Sequence, residues 1–140
     1  MQTWLGPLQR LRRGKARHHP RGQVDPPSDL QVGHHGSDTS SGPTFIAKVQ
    51  PKYAVISAGK ENEGMNKTYC HPRASTVQAV TEALGGPGAK SIQAFDAKVT
   101  CAKGTSADWI DVPANDHLWA TERDGDVVLT TTGDGTFSRQ

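Results

Sequence analysis

The 140-residue sequence predicts an α/β fold, layered, with a β-rich hairpin region at its C-terminal end. Two observations carry this expectation. A strand, loop and helix follow one another twice between Asp29 and Leu84, and after Ser91 the apolar residues fall into short runs separated by turn formers. One domain is expected, because domains typically run roughly 100 to 150 residues.

Residues 1–28 hold Pro7, Pro20, Pro26 and Pro27 and no sustained periodicity, so they read as an irregular tail. From Asp29 the texture changes. Asp29 to Gly33 alternates polar and apolar residues and stops at glycine, as a strand does when it opens into a loop. The loop, His34 to Gly42, is dense in Gly, Ser, Thr and Asp. Pro43 suits the first turn of a short helix over Thr44 to Val49, which Pro51 ends. Lys52 to Gly59 has the near-continuous apolar centre of a strand covered on both faces.

A polar loop, Lys60 to Cys70, leads to His71-Pro72 and a second helix, Ala74 to Leu84, whose Val77, Val80, Ala83 and Leu84 fall at helical spacing. Gly85 to Gly88 stops it. Beyond lie short predicted strands at Ser91 to Phe95, Val99 to Ala102, Trp109 to Val112, Leu118 to Glu122, Val127 to Thr132 and Thr136 to Ser138. Asp124-Gly125 signals a hairpin between Leu118 to Glu122 and Val127 to Thr132, and Gly133-Asp134-Gly135 signals a second turn.

Apolar residues make up only 34% and there are 15 Gly and 9 Pro, which implies a thin core. The net charge of +2 conceals an asymmetry: residues 1–28 carry six basic side chains against Asp25 alone, while residues 29–140 are net acidic. Such a tail suits phosphate neutralisation on nucleic acid or another anionic partner. No apolar run approaches the roughly 18 residues of a membrane span, and no targeting segment points to a compartment. Cys70 and Cys101 are too few for a disulfide framework or a zinc knuckle; they read as free thiols, or as a pair if the fold joins them in an oxidising compartment.

The chemistry sits in the two histidine-bearing loops. Loops beyond strand ends are where layered α/β proteins build sites, so His34, His35 and His71 are candidates to converge. Imidazole is the usual neutral nitrogen ligand for zinc and similar metals; in a neighbouring pair, one ring can ligate while the other moves a proton. Gly33 and Gly36 would let the backbone turn sharply around the pair. His18-His19 in the tail and His117 at a strand start read as ordinary surface histidines.

The stretch Asp-Leu-Gln-Val-Gly-His-His-Gly-Ser-Asp-Thr-Ser-Ser at Asp29 to Ser41 resembles hydrolases of the metallo-β-lactamase superfamily, in particular the ComEC-type DNA-uptake group. Pro51 to Gly59, then Asn62 and Tyr69-Cys70-His71-Pro72, continue the likeness in order, and Ala120 to Val127 resembles that family's closing hairpin. The resemblance implies half of an αββα sandwich bearing one or two zinc or manganese ions at its edge, in a domain spanning residues 29–140. It implies metal-dependent hydrolysis of phosphodiester or related ester bonds, with His34, His35 and His71 as metal ligands. His34 or His35 would also act catalytically on the leaving group, and Ser37 and Asn62 would support the site.

The family's His-x-His-x-Asp-His run and the Gly-Asp step that supplies a bridging carboxylate are not in this sequence. The expectation is therefore the C-terminal part of a hydrolase, incomplete and inactive alone, needing a missing N-terminal half-domain. A reading of a different class stands beside it: a non-catalytic binding module whose basic tail contacts nucleic acid or another anionic partner.

Overall fold

The computed structural model describes residues 29–96, 98–134 and 136–140. The tail expected over residues 1–28, with His18 and His19, lies outside them. In chain order, β1 is Asp29–Gln31, followed by a 3-10 turn at Gly33–Gly36; α1 is Pro43–Val49 and β2 is Tyr53–Ile56. Next come α2, Asn66–Tyr69, and α3, Ala74–Ala83. Then β3, Lys90–Phe95, precedes 3-10 turns at Cys101–Lys103 and Ser106–Asp108, and β4 is Trp109–Ala114. The chain closes with β5, Leu118–Ala120, α4, Thr121–Asp124, β6, Leu129–Thr131, and β7, Phe137–Arg139.

The expected α/β character is observed. Pro43 occupies the first turn of α1, and Gln50, in left-handed conformation before Pro51, ends it. Arg73 enters α3 from extended backbone, and Gly86 N–H returns to the Thr81 carbonyl to close its end. β1, β2 and β5 form a parallel sheet in the order β1-β2-β5, with Leu30 opposite Ala54 and Ile56 opposite Ala120. Strand periodicity then points Ala54, Ile56, Leu118 and Ala120 into one core, where they join Ile46 of α1 and Val77 and Val80 of α3. The same core takes Ile92, Ala94, Val112 and Ala114 from the antiparallel pair β3–β4. Parallel pairing of β2 with β5 makes everything between them one long crossover, and it leaves the ends of these strands at a common edge.

Two expectations are corrected. Leu118 to Glu122 does not pair with Val127 to Thr132 as a hairpin. Leu118, Trp119 and Ala120 are all buried, a triplet suited to lying beside β2. The Asp124 carboxylate accepts the Ala120 N–H at 2.9 Å, so Asp124 and Gly125 close the helical turn α4 rather than a hairpin. Val99 to Ala102 is not a strand, since Cys101–Lys103 winds into a 3-10 turn. Of the two alternatives open for Cys70 and Cys101, the pair is the one observed: they are joined in a disulfide, with Cα atoms 5.5 Å apart. The turn around Gly133 and Asp134 does join an antiparallel pair, β6–β7. The Lys60 to Cys70 loop contains the additional short helix α2.

No helix among the described residues is long and apolar enough to cross a membrane.

Candidate functional site

The first histidine loop leaves β1 in a tight left-handed turn. His34 and His35 have φ of 46° and 56°, followed by Gly36 at 84°. Left-handed backbone costs a side-chain-bearing residue roughly 1–2 kcal/mol, so two in succession must be held by their surroundings. The holding contacts are specific. Ser41, buried at 3% exposure, accepts the Gly33 N–H at 3.0 Å, and Ser37 N–H returns to the His34 carbonyl at 3.0 Å. Gly36 lies against Pro72 so closely that an added Cβ would come within 2.7 Å of the proline Cβ. Its carbonyl accepts the Arg73 N–H at 2.9 Å, which joins the first loop to the second.

His35 reaches the end of β2. Its Nδ1 lies 2.6 Å from the Ser57 carbonyl oxygen. A carbonyl only accepts, so Nδ1 donates and, in the neutral ring, the Nε2 lone pair stays free. This is the tautomer that second-sphere carbonyls impose on histidine ligands.

The second loop is held from within. Asn66 is 8% exposed and bridges the loop. Its Oδ1 accepts the His71 N–H at 2.7 Å, while its Nδ2 donates to the carbonyls of His71 and Gly59, each at 2.8 Å, and reaches that of Lys60 at 3.2 Å. Only an amide offers donor and acceptor in this arrangement. Past His71, a cis bond leads into Pro72, whose carbonyl accepts the Phe95 N–H at 2.9 Å. The His71 turn is thereby fixed between the first loop and β3.

The His71 ring is buried, 7% exposed, and its Nδ1 has no hydrogen-bond partner. Burial lowers its pKa to about 4, with the charges of Arg73, His34 and His35 pushing the same way. His71 is therefore neutral at physiological pH. Tyr69 stacks on it at 6.1 Å between centroids, 17° from parallel.

The three predicted histidines are brought together. The His34 ring lies 5.2 Å from that of His71 and 6.2 Å from that of His35, centroid to centroid. His35 and His71 border a cleft of about 420 Å³ whose walls include Ser57, Asn66, Tyr69 and Thr121, and His34 packs on His71 beside it. Thr121 ties the ends of β2 and β5 together: its hydroxyl donates to the Ala58 carbonyl at 2.8 Å and accepts the Ala58 N–H at 3.0 Å. Ser37 is buried, but its hydroxyl pairs with Thr39 and shapes the turn instead of contacting a ring. Asn62 is exposed and donates to Glu61; the supporting amide is Asn66, four residues on. Its signal in the sequence was an asparagine shortly before His-Pro in a polar loop. His117 is exposed and packs on Tyr53, 5.1 Å between centroids. Among the described residues no group of three or more His, Cys, Asp or Glu assembles that could hold a metal ion.

These features define a class: an α/β protein that gathers three histidines near its parallel strand ends, two of them on an open cleft and one of those buried and neutral. Comparison with known proteins narrows it. The chain is 51% identical over 49 residues to ComE operon protein 3 of Bacillus subtilis (strain 168), and 49% identical over 43 residues to competence protein ComA of Neisseria gonorrhoeae. The matches take in 35% and 31% of this chain and 6% of each relative, so the chain spans a small part of their length. The likeness to the ComEC-type group thus holds as partial homology. No family model matches the chain, and no solved structure matches it.

Proposed function

We propose that this chain contributes the late-histidine half of a metal-dependent hydrolase of the metallo-β-lactamase type. It would act on phosphodiester or related ester bonds in a competence-related, nucleic-acid setting, and would be incomplete by itself. The observation that carries the reading is the pairing of His34 with the buried, neutral His71. Two imidazoles sharing a tetrahedral ion at ~2.0–2.1 Å place their ring centroids about 5 Å apart, and these stand at 5.2 Å. The unpartnered Nδ1 of His71 and the free Nε2 lone pair of His35 add neutral nitrogen donors of the kind zinc or manganese takes.

His34 and His71 would be the first pair of metal ligands, and His35, which does not form a three-residue group with them in this arrangement, would have to move to join them. When bound, the metal would supply an activated water and neutralise charge on the developing oxyanion. The chain's own residues do the positioning. Ser57 fixes the His35 tautomer, so that a proton can be taken up or passed on only at Nε2. Asn66 fixes the His71 backbone, and Tyr69 covers one face of its ring against water. Among the described residues no three His, Cys, Asp or Glu side chains form a metal-holding group. The remaining ligands would come from a further half-domain, which is the partner this reading requires.

The test is calorimetric titration of the full chain with Zn²⁺ and with Mn²⁺. A site with so few ligands should bind more weakly than about 1 μM, and His34→Ala and His71→Ala should each abolish the heat. Variants that titrate like the parent sink the proposal. Nucleic-acid binding that survives His71→Ala and vanishes on deleting residues 1–28 would favour the binding-module reading instead.

A further inference from the structure

We infer that the Cys70–Cys101 disulfide is a latch on the cleft, and that a dithiol reductant opens it by releasing α2 and the Asn66 clamp from beneath His71. The consequence for activity rests on the reading of His71 above; the latch itself does not.

The bond sits where it can act. Cys70 immediately precedes His71, holds a left-handed conformation at φ 48°, and donates its N–H to the Asn66 carbonyl. Cys101 follows β3 in the chain, and its Sγ approaches the carbonyls of Lys67 at 3.6 Å and Asn66 at 3.9 Å. The disulfide thus spans the C-terminal end of α2, the helix that presents Asn66 and Tyr69 to the cleft.

Apart from the hydrogen bonds of Asn66, little fastens α2 to the Cys101 turn. α2 is four residues long, far below the roughly 12 residues at which isolated helices begin to persist. The turn carrying Cys101 has no buried residue, and Ala102 and Lys103 are exposed. A covalent link therefore does what apolar packing does not. It also shares one clamp with the histidine, because the same Asn66 that accepts the Cys70 N–H on its carbonyl binds the His71 backbone at both N–H and carbonyl.

Access sets the chemistry of opening. Cys70 is 5% exposed, whereas Cys101 is half-buried and is the sulfur a thiolate can reach. One thiolate of the dithiol attacks Cys101 Sγ, forming a mixed disulfide there and expelling Cys70 as a thiolate that takes up a proton. The second thiol then displaces Cys101, which is protonated in turn. The dithiol leaves as a disulfide, having supplied two electrons and two protons.

The experiment is histidine modification by diethyl pyrocarbonate on the full chain, read residue by residue by mass spectrometry, with exposed His117 as internal reference. Reduction with dithiothreitol should raise the His71 rate relative to His117 by about tenfold, since a disulfide commonly contributes a few kcal/mol, part of it here local. Asn66→Ala should raise it similarly with the bond intact. The inference is overturned by free thiols in chain refolded under air, by a His71 rate that neither treatment changes, or by loss of the whole far-ultraviolet dichroism on reduction. A zinc titration in both redox states separates the two readings. Redox-dependent His71 exposure without zinc binding in either state removes the hydrolase and leaves the latch.

Discussion

The two histidine loops reach the same cleft by opposite means. The His34–His35 turn is exposed and held by its backbone: two left-handed residues, a glycine pressed on Pro72, and one ring bonded to a main-chain carbonyl. The His71 turn is buried and held by a side chain, with Asn66 satisfying its backbone and a disulfide beside it. The difference teaches that the two loops should fail differently. Damage to the second loop should cost stability, whereas substituting a ring of the first should change the site and spare the fold.

The largest expected effect comes from breaking the buried clamp. Asn66→Ala leaves the N–H and carbonyl of His71 and the Gly59 carbonyl without partners, which should lower stability by about 3 kcal/mol, measured by urea denaturation. Next is Gly36→Ala, which adds both left-handed strain and a clash with Pro72. It should cost about 2 kcal/mol and is the one change in the first loop that also disturbs the second.

Acid gives a comparable effect through His71 alone. Its pKa is about 4 in the folded chain against 6.5 for a free ring, so folding favours the neutral form. The stabilisation is complete above pH 6.5 and is lost as pH falls toward 4, a decline on the order of 3 kcal/mol. His71→Gln should flatten that segment of the stability curve; an unchanged slope would assign the acid sensitivity elsewhere. The smallest effect comes from two terms that oppose each other. His35→Gly relieves left-handed backbone but gives up the ring's bond to the Ser57 carbonyl, so stability should change by less than about 1 kcal/mol while the ring leaves the site. Should it destabilise as Asn66→Ala does, the contrast between the loops is lost.

How much was legible in the sequence follows the same line. The α/β class and the placement of β1, α1, β2 and α3 follow from Gly and Pro punctuation and from apolar spacing, which are local signals. The meeting of His34, His35 and His71 was also foreseeable, since both loops follow strand ends. What local signals could not settle was partnership across the chain. Leu118 to Ala120 read as half of a hairpin because Asp124-Gly125 looked like its turn; its true partner, β2, lies more than sixty positions earlier. The Cys70–Cys101 bond and the choice of Asn66 over Asn62 likewise depend on which residues the fold brings together. Spacing alone does not encode that.

The Thr121 hydroxyl bridges to Ala58 across a sequence separation of 63 residues. During synthesis, therefore, the histidine turn and His71 leave the ribosome well before the strand and hydroxyl that close their cleft. Such distant pairing forms late and slowly. Until Thr121 emerges, the nascent chain presents its imidazoles on an unfinished surface, open to stray metal ions and to neighbouring chains. Completion of the cleft waits on the residues around Thr121.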